Sequence, residues 1–183
     1  MEVAMPRIRQ LDPEDADAWT KRLFRKVEES LGVVPNMFKC MGNSDVALDG
    51  FLGFNASLGA GKLGGKNMKL IILATSELNG CEYCASAHTQ MAKDAGLLTD
   101  EECLNARRLI GVDDKSGAML QFVKKVHEAK GKVKDEDVAA LRQKGFGDVE
   151  IVEIVGIMAL ITFANYVSNV GEPELDFSAV PPV

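Results

Sequence analysis

The sequence predicts an all-α protein. Three observations carry that prediction. Apolar residues recur at steps of three and four along several segments, helix-start and helix-stop signals bracket those segments, and no stretch alternates with period two between hairpin turns. At 183 residues the chain is long enough for one sizeable core, or two small joined halves, without disulfide staples. Residues 1–183 read as a single helical domain, with 1–12 as an N-terminal extension and 172–183 as an extended tail carrying Pro173, Pro181 and Pro182.

Asp12 before Pro13 marks a helix start, because an aspartate caps free amides and proline's missing N–H costs nothing at the first helical position. The helix over 14–31 has an apolar stripe of Trp19, Leu23, Val27 and Leu31, ended by Gly32. A second helix spans 44–58, with Val46, Phe51, Phe54 and Leu58 apolar, before the glycine-rich stretch 59–65. Residues 67–78 read as a buried helix stopped by Asn79-Gly80. A fresh helix then begins at Cys81 and ends at Gly96, which makes Cys81 an N-cap-like residue at the positive end of a helix dipole; an unbroken helix through Gly80 is the other geometry.

Thr99 with Glu102 forms a capping box that opens a helix to about Leu109. Another spans 115–130, with Met119, Phe122, Val123 and Val126 inward and Gly131 as its stop, and helices over 135–144 and 148–170 complete the series. The helix starts at 98–102 and 133–137 look alike, which hints at an internally duplicated helical unit, although shared capping chemistry alone produces the same match. The apolar stretch 154–164, between Glu153 and Asn165, is shorter than the ~18 residues of a membrane span and reads as a buried helix. Residues 151–164 are apolar on nearly every side, more than a small monomer can cover, so this helix is expected in a subunit interface as well as in the core.

The formal charge of −6 and the lack of a long Lys/Arg run exclude a phosphate-tracking nucleic-acid surface. The N-terminal ten residues carry Arg7 and Arg9 but no apolar core, so no signal peptide is read there and a reducing cytoplasm is the expected location. The four cysteines, Cys40, Cys81, Cys84 and Cys103, are too few for a secreted disulfide scaffold.

Two of those cysteines sit in the densest chemistry of the chain. Glu77, Cys81, Cys84 and His88 fall at steps of four, three and four, so on an unbroken helix they share one face within roughly 60°. A redox cysteine needs its pKa lowered, because the thiolate is the nucleophile. The helix N-terminus favours the anion, His88 one turn beyond Cys84 can take its proton, and Glu77 can orient the imidazole and pass the proton on. Cys84, nearer His88, is therefore read as the attacker of a hydroperoxide and Cys81 as the thiol that closes the disulfide. Zinc needs four ligands; Cys81, Cys84 and His88 supply three and Cys103 is a remote fourth, so no metal is assigned. Covalent haem needs histidine directly after the second cysteine, where Ala85 stands. Cys40 and Cys103 read as small buried hydrophobes, His127 and Glu82 as surface residues, and Tyr83 as a packing residue.

The run from Ser76 to Thr89, followed by Ala95-Gly96-Leu97, resembles the signature of the carboxymuconolactone decarboxylase-like superfamily, and within it the AhpD-like alkylhydroperoxidase branch. Val34-Pro35-Asn36-Met37-Phe38, Gly145-Phe146 and Phe163-Ala164-Asn165-Tyr166 resemble its longer peroxidase-related members. The resemblance spans residues 30–176. It implies an AhpD-like helical bundle assembled as a homotrimer or homohexamer, with a CxxC whose second cysteine reacts with peroxide, and proton relay through a histidine and a glutamate. Cys81, Cys84 and His88 match residue for residue. The glutamate of the best-known members lies twelve residues before the first cysteine, where this chain has Lys69; Glu77 occupies the position of the family's other pattern and takes the relay role. The true decarboxylases of the family lack the cysteine pair.

The function so read is thiol-dependent hydroperoxide reduction with no metal or organic cofactor, fed by a dithiol such as a lipoyl group or a thioredoxin-like protein. A redox-sensing or disulfide-exchange protein with little peroxide turnover is the alternative from another class.

Overall fold

A computed structural model describes residues 6–183. Among these residues the chain forms nine α-helices and a short 3-10 turn, with no strand, so the all-α class holds. The helices are α1 (Ala18–Leu31), α2 (Asn36–Met41), α3 (Asp45–Gly59), α4 (Gly64–Leu78), α5 (Glu82–Asp94), α6 (Asp100–Arg107), α7 (Asp114–Glu128), α8 (Asp135–Gln143) and α9 (Asp148–Gly171). The signal-peptide reading falls partly on residues 1–5, which lie outside the described residues.

The helix α4 is the axis of the fold. Seven consecutive residues, Leu70 through Ser76, are buried, because α5, α6, α7 and α9 pack around it on all sides. A helix surrounded in this way has no polar stripe, which is why its sequence reads as an apolar run rather than an amphipathic one. The two charged residues that flank the run, Lys69 and Glu77, stand at the edges of the buried segment. Leu70, Ile71 and Leu73 of α4 join Leu120 of α7 and Ile154, Ile157 and Ile161 of α9 in the core.

Most helix starts follow the sequence signals, with informative exceptions. Asp12 caps only the 3-10 turn Pro13–Asp15; α1 is capped by Asp17, whose side chain accepts from Trp19 and Thr20 N–H. Its buried face is accordingly Thr20, Leu23, Phe24 and Val27, while Trp19 and Leu31, placed in the stripe by spacing, are exposed. The helix α2 follows Pro35 with no side-chain cap, so its start carries no capping signal in the sequence. Ser44 and Thr99 cap α3 and α6, the latter with its capping box. The start of α4 is held from a distance. The Glu153 carboxylate of α9 accepts from Lys62 N–H and Leu63 N–H, each at 3.0 Å, and Gly61 leaves it room, since a Cβ there would lie 2.8 Å from that carboxyl group.

The last helix runs well beyond the apolar stretch 154–164, over the span expected for it. Helix α9 continues past Asn165 to 24 residues, and by length and composition alone it suffices to cross a membrane. In the fold its inner face packs on α4, α2 and α3, and that face carries the buried Asn165 and Ser168. Its outer face leaves Val152, Val155, Phe163, Tyr166 and Val170 exposed, beside Phe54 of α3.

Replacing Glu153 with Ala strips acceptors from two N–H groups ahead of α4. The expected result is a loss of about 1–2 kcal/mol in urea unfolding with an unchanged m-value.

Candidate functional site

The break between α4 and α5 creates the site. Gly80 adopts φ +61°, a left-handed turn that L side chains disfavour, and Cys81 N–H closes the turn on Ser76 O at 2.9 Å. Cys81 then sits in extended conformation as the N-cap of α5, and its Sγ accepts from Cys84 N–H at 3.4 Å. Of the two geometries open from sequence, the broken one is found. All four cysteines are free thiols, and Cys81 and Cys84 are both buried.

The two thiols are shifted in opposite directions. Cys81 is lowered to about 7, first because the Cys84 side chain hydrogen-bonds to its sulfur; burial opposes this, and Cys84 N–H with the side chains of Asn165 and Ser168 adds to it. Cys84 is raised, by that same hydrogen bond and by burial. Its Sγ lies 3.8 Å from Ser168 Oγ. Both shifts arise from the one contact between the two sulfurs, and the backbone adds to it on the Cys81 side, where the Cys84 N–H reaches Sγ at 3.4 Å and favours the anion. Proximity to His88 in sequence favoured Cys84, whereas the free amides of the helix start act on the preceding residue, Cys81.

The acid and the imidazole are also placed otherwise than expected. Glu77 does not hold His88. Its Oε2 accepts from Arg107 Nε at 2.8 Å, and Arg107 Nη1 donates to Pro181 O at 2.8 Å. The turn at Gly80 rotates α5 out of the register that would align positions 77 and 88 on one face. Glu77 still lines a pocket of about 310 Å³ with Cys81, Arg107, Val180 and Pro182, so it neighbours the thiol without touching the imidazole. The partner of His88 is Lys69, with Nζ 3.1 Å from Nδ1. His88 is held well below its ordinary value by burial and by the Lys69 charge, so the ring is neutral. Lys69 is lowered to about 8, chiefly by burial. Among the described residues His88 makes no hydrogen bond to either sulfur.

Helix α9 and the tail supply residues that sequence reasoning missed. Asn165 Oδ1 accepts from Asn79 Nδ2 at 2.8 Å and its Nδ2 donates to Ser76 Oγ at 3.1 Å, tying α9 to the α4–α5 turn beside the thiols. A polar residue ending an apolar run was the available signal for Asn165. Nothing in the sequence singles out Arg107. The extended tail folds back over α5: Val180 N–H donates to Ser86 Oγ at 3.2 Å, and the Asp176 carboxylate accepts from Asn36 N–H and from the Tyr83 hydroxyl. Tyr83 packs edge-on against Phe177 and accepts from Met37 N–H at 3.1 Å, so it fastens both the tail and the Val34–Phe38 segment to α5. Cys40 and Cys103 are buried, and burial raises both thiols. Among the described residues no three His, Cys, Asp or Glu side chains gather as a metal-binding set.

The helices that build this turn, from α3 to α7, coincide with a known sequence family. Residues 47–127 match the carboxymuconolactone decarboxylase family. The match contains both thiols, Lys69, His88 and Arg107. No curated protein matches the sequence. Among solved structures, the chain is similar to an uncharacterized peroxidase-related protein with an alkylhydroperoxidase AhpD core from Ralstonia eutropha JMP134. The TM-score is 0.83 at 24% identity, covering 95% of this chain and 94% of that one. An uncharacterized peroxidase-related protein from Silicibacter sp. TM1040 gives 0.75 at 24% identity, covering 96% and 92%. The debrominase Bmp8 gives 0.75 at 21% identity, covering 96% and 93%. At these identities the likeness establishes the AhpD-like fold.

The thiol geometry has a direct consequence for alkylation. With increasing pH, Cys81 is expected to react with iodoacetamide along a curve centred near 7 and Cys84 only well above it, as read by peptide mass mapping. Equal curves at the ordinary cysteine value for both would contradict the assignment.

Proposed function

We propose that the protein is a thiol-dependent hydroperoxide reductase of the AhpD-like type, with Cys81 as the attacking sulfur and Cys84 as the resolving one. The observation that carries this reading is the Cys81 sulfur, which accepts the Cys84 N–H at the start of α5 and faces a pocket large enough for a small peroxide. The Cys81 thiolate attacks the terminal peroxide oxygen; an S–O bond forms as the O–O bond breaks, and the alkoxide leaves as the alcohol with one proton. The Cys84 thiol then displaces hydroxide from the sulfenic acid, the S–S bond forms and water departs. An external dithiol, a lipoyl group or a thioredoxin-like protein, returns the two electrons by exchange through a mixed disulfide. No metal or organic cofactor enters these steps.

His88 is assigned to proton transfer. Glu77 is assigned to the lining of the pocket, where it pairs with Arg107, which in turn donates to Pro181 O of the tail. A CxxC pair in a chain of only four cysteines fits a reducing compartment, and the cytoplasm is the proposed location. A second reading, redox sensing or disulfide exchange, draws on the tail contacts beside the thiols, which favour slow access. Reductive dehalogenation, the activity in the name of the debrominase neighbour, is the outcome to watch for with a halogenated aromatic substrate.

The exposed apolar face of α9 is proposed as the surface joining copies of the chain into a homotrimer or homohexamer. Changing both Val155 and Phe163 to Glu is expected to give monomers in sedimentation velocity, whereas a monomeric wild-type chain would refute the assembly.

Steady consumption of an organic hydroperoxide with dihydrolipoamide is expected, falling at least about 1,000-fold in Cys81→Ser, in line with loss of a nucleophile. Stoichiometric oxidation without turnover would favour the sensor. Consumption of a bromopyrrole with no peroxide turnover would favour dehalogenation.

A further inference from the structure

Lys69 lies at the edge of the buried stretch of α4, with its Nζ 3.1 Å from His88 Nδ1 and 3.9 Å from Met91 Sδ. An ammonium has donors only, and a neutral imidazole has one donor nitrogen and one acceptor. The contact therefore requires Nδ1 to be the acceptor and sets the ring proton on Nε2 while Lys69 is charged. His88 then stands one turn after Cys84 on α5 as a proton donor, not as the base that its spacing suggested.

We infer that Lys69 is a positioning residue that fixes the His88 tautomer and refills it, so that the pair delivers a proton to the departing oxygen of the substrate. This rests on the hydroperoxide reductase reading. The balance closes: His88 Nε2–H gives its proton to the alkoxide released from the O–O bond, and Lys69 passes an N–H proton to Nδ1. What remains is a neutral Lys69 amine facing the Nδ1–H of a neutral imidazole whose Nε2 is bare; a solvent proton enters at Nε2 as the Nδ1 proton returns to the Lys69 amine, which restores the starting pair before the next turnover.

The surroundings suit that cycle. Burial brings Lys69 down to about 8, within reach of physiological pH, with Cys103 of α6 opposing the shift. His88 of α5 and Cys103 of α6 are titratable groups that bear on Lys69. Nearby charges are engaged elsewhere: Lys66 pairs with Glu102 and Lys93 with Asp100. The sign of the pH dependence follows. The donor is present below about 8 and lost as pH rises through it, whereas the Cys81 thiolate appears as pH rises through about 7, so turnover follows a narrow bell between them.

The test combines nitrogen-15 NMR of the imidazole with pH–rate profiles of wild type, Lys69→Met and Lys69→Arg. Wild type is expected to show the Nε2–H tautomer. Lys69→Met should lose that preference, turn over about 100-fold more slowly and lack the alkaline limb. Lys69→Arg keeps a donor that does not release its proton, so the tautomer should persist while turnover stays low and the alkaline limb is again lost. A wild-type ring protonated on Nδ1 at pH 7, or a Lys69→Met variant with unchanged tautomer and alkaline limb, would overturn the inference. Should Lys69→Met fail to fold, the wild-type tautomer and the Lys69→Arg profile still decide. Absence of any peroxide turnover in wild type would defeat the reductase reading alone, because the NMR result is independent of activity.

Discussion

Everything at the thiol pair depends on where α4 stops. A helix start leaves amides without intrahelical partners, and in most proteins an oxygen from Ser, Thr or Asp takes one of them. Here the sulfur of Cys81 takes that place, so the geometry that ends one helix and begins the next also bears on the acidity of that thiol. The turn is held by the buried run Leu70 through Ser76 that leads into it and by Asn165 of α9, which bonds to Asn79 and Ser76.

The asymmetry between the sulfurs follows from the same constraint. Cys81 precedes the helix and receives its amide; Cys84 lies inside the first turn and hydrogen-bonds to Cys81, beside Ser168. The backbone at the helix start and the side chains of α9 thus bear on the sulfurs, and the backbone favours the anion on Cys81 over Cys84.

The all-α class, the helix break at Asn79-Gly80 and the capping boxes were legible because each depends on a local signal in a few adjacent residues. The CxxC pair and its histidine were legible for the same reason. Spacing alone ranks the two thiols by their distance from His88, whereas the amide that reaches the Cys81 sulfur is placed only once the chain turns at Gly80. The place of Glu77 was misread for a related cause: spacing was extended through a turn that rotates the second helix. Lys69 and Arg107 lie on α4 and α6 and meet His88 and Glu77 only in the folded state, so spacing could not pair them. The stripe assigned to α1 shifted because Asp17, not Asp12, caps the helix.

The most direct test of the account is to trap the first oxidation product. One equivalent of an organic hydroperoxide, followed by a sulfenic-acid reagent and mass mapping, should label Cys81 in the Cys84→Ser variant and leave the Cys81→Ser variant essentially unlabelled. Labelling of Cys84 in Cys81→Ser, with Cys84→Ser remaining reduced, would contradict it.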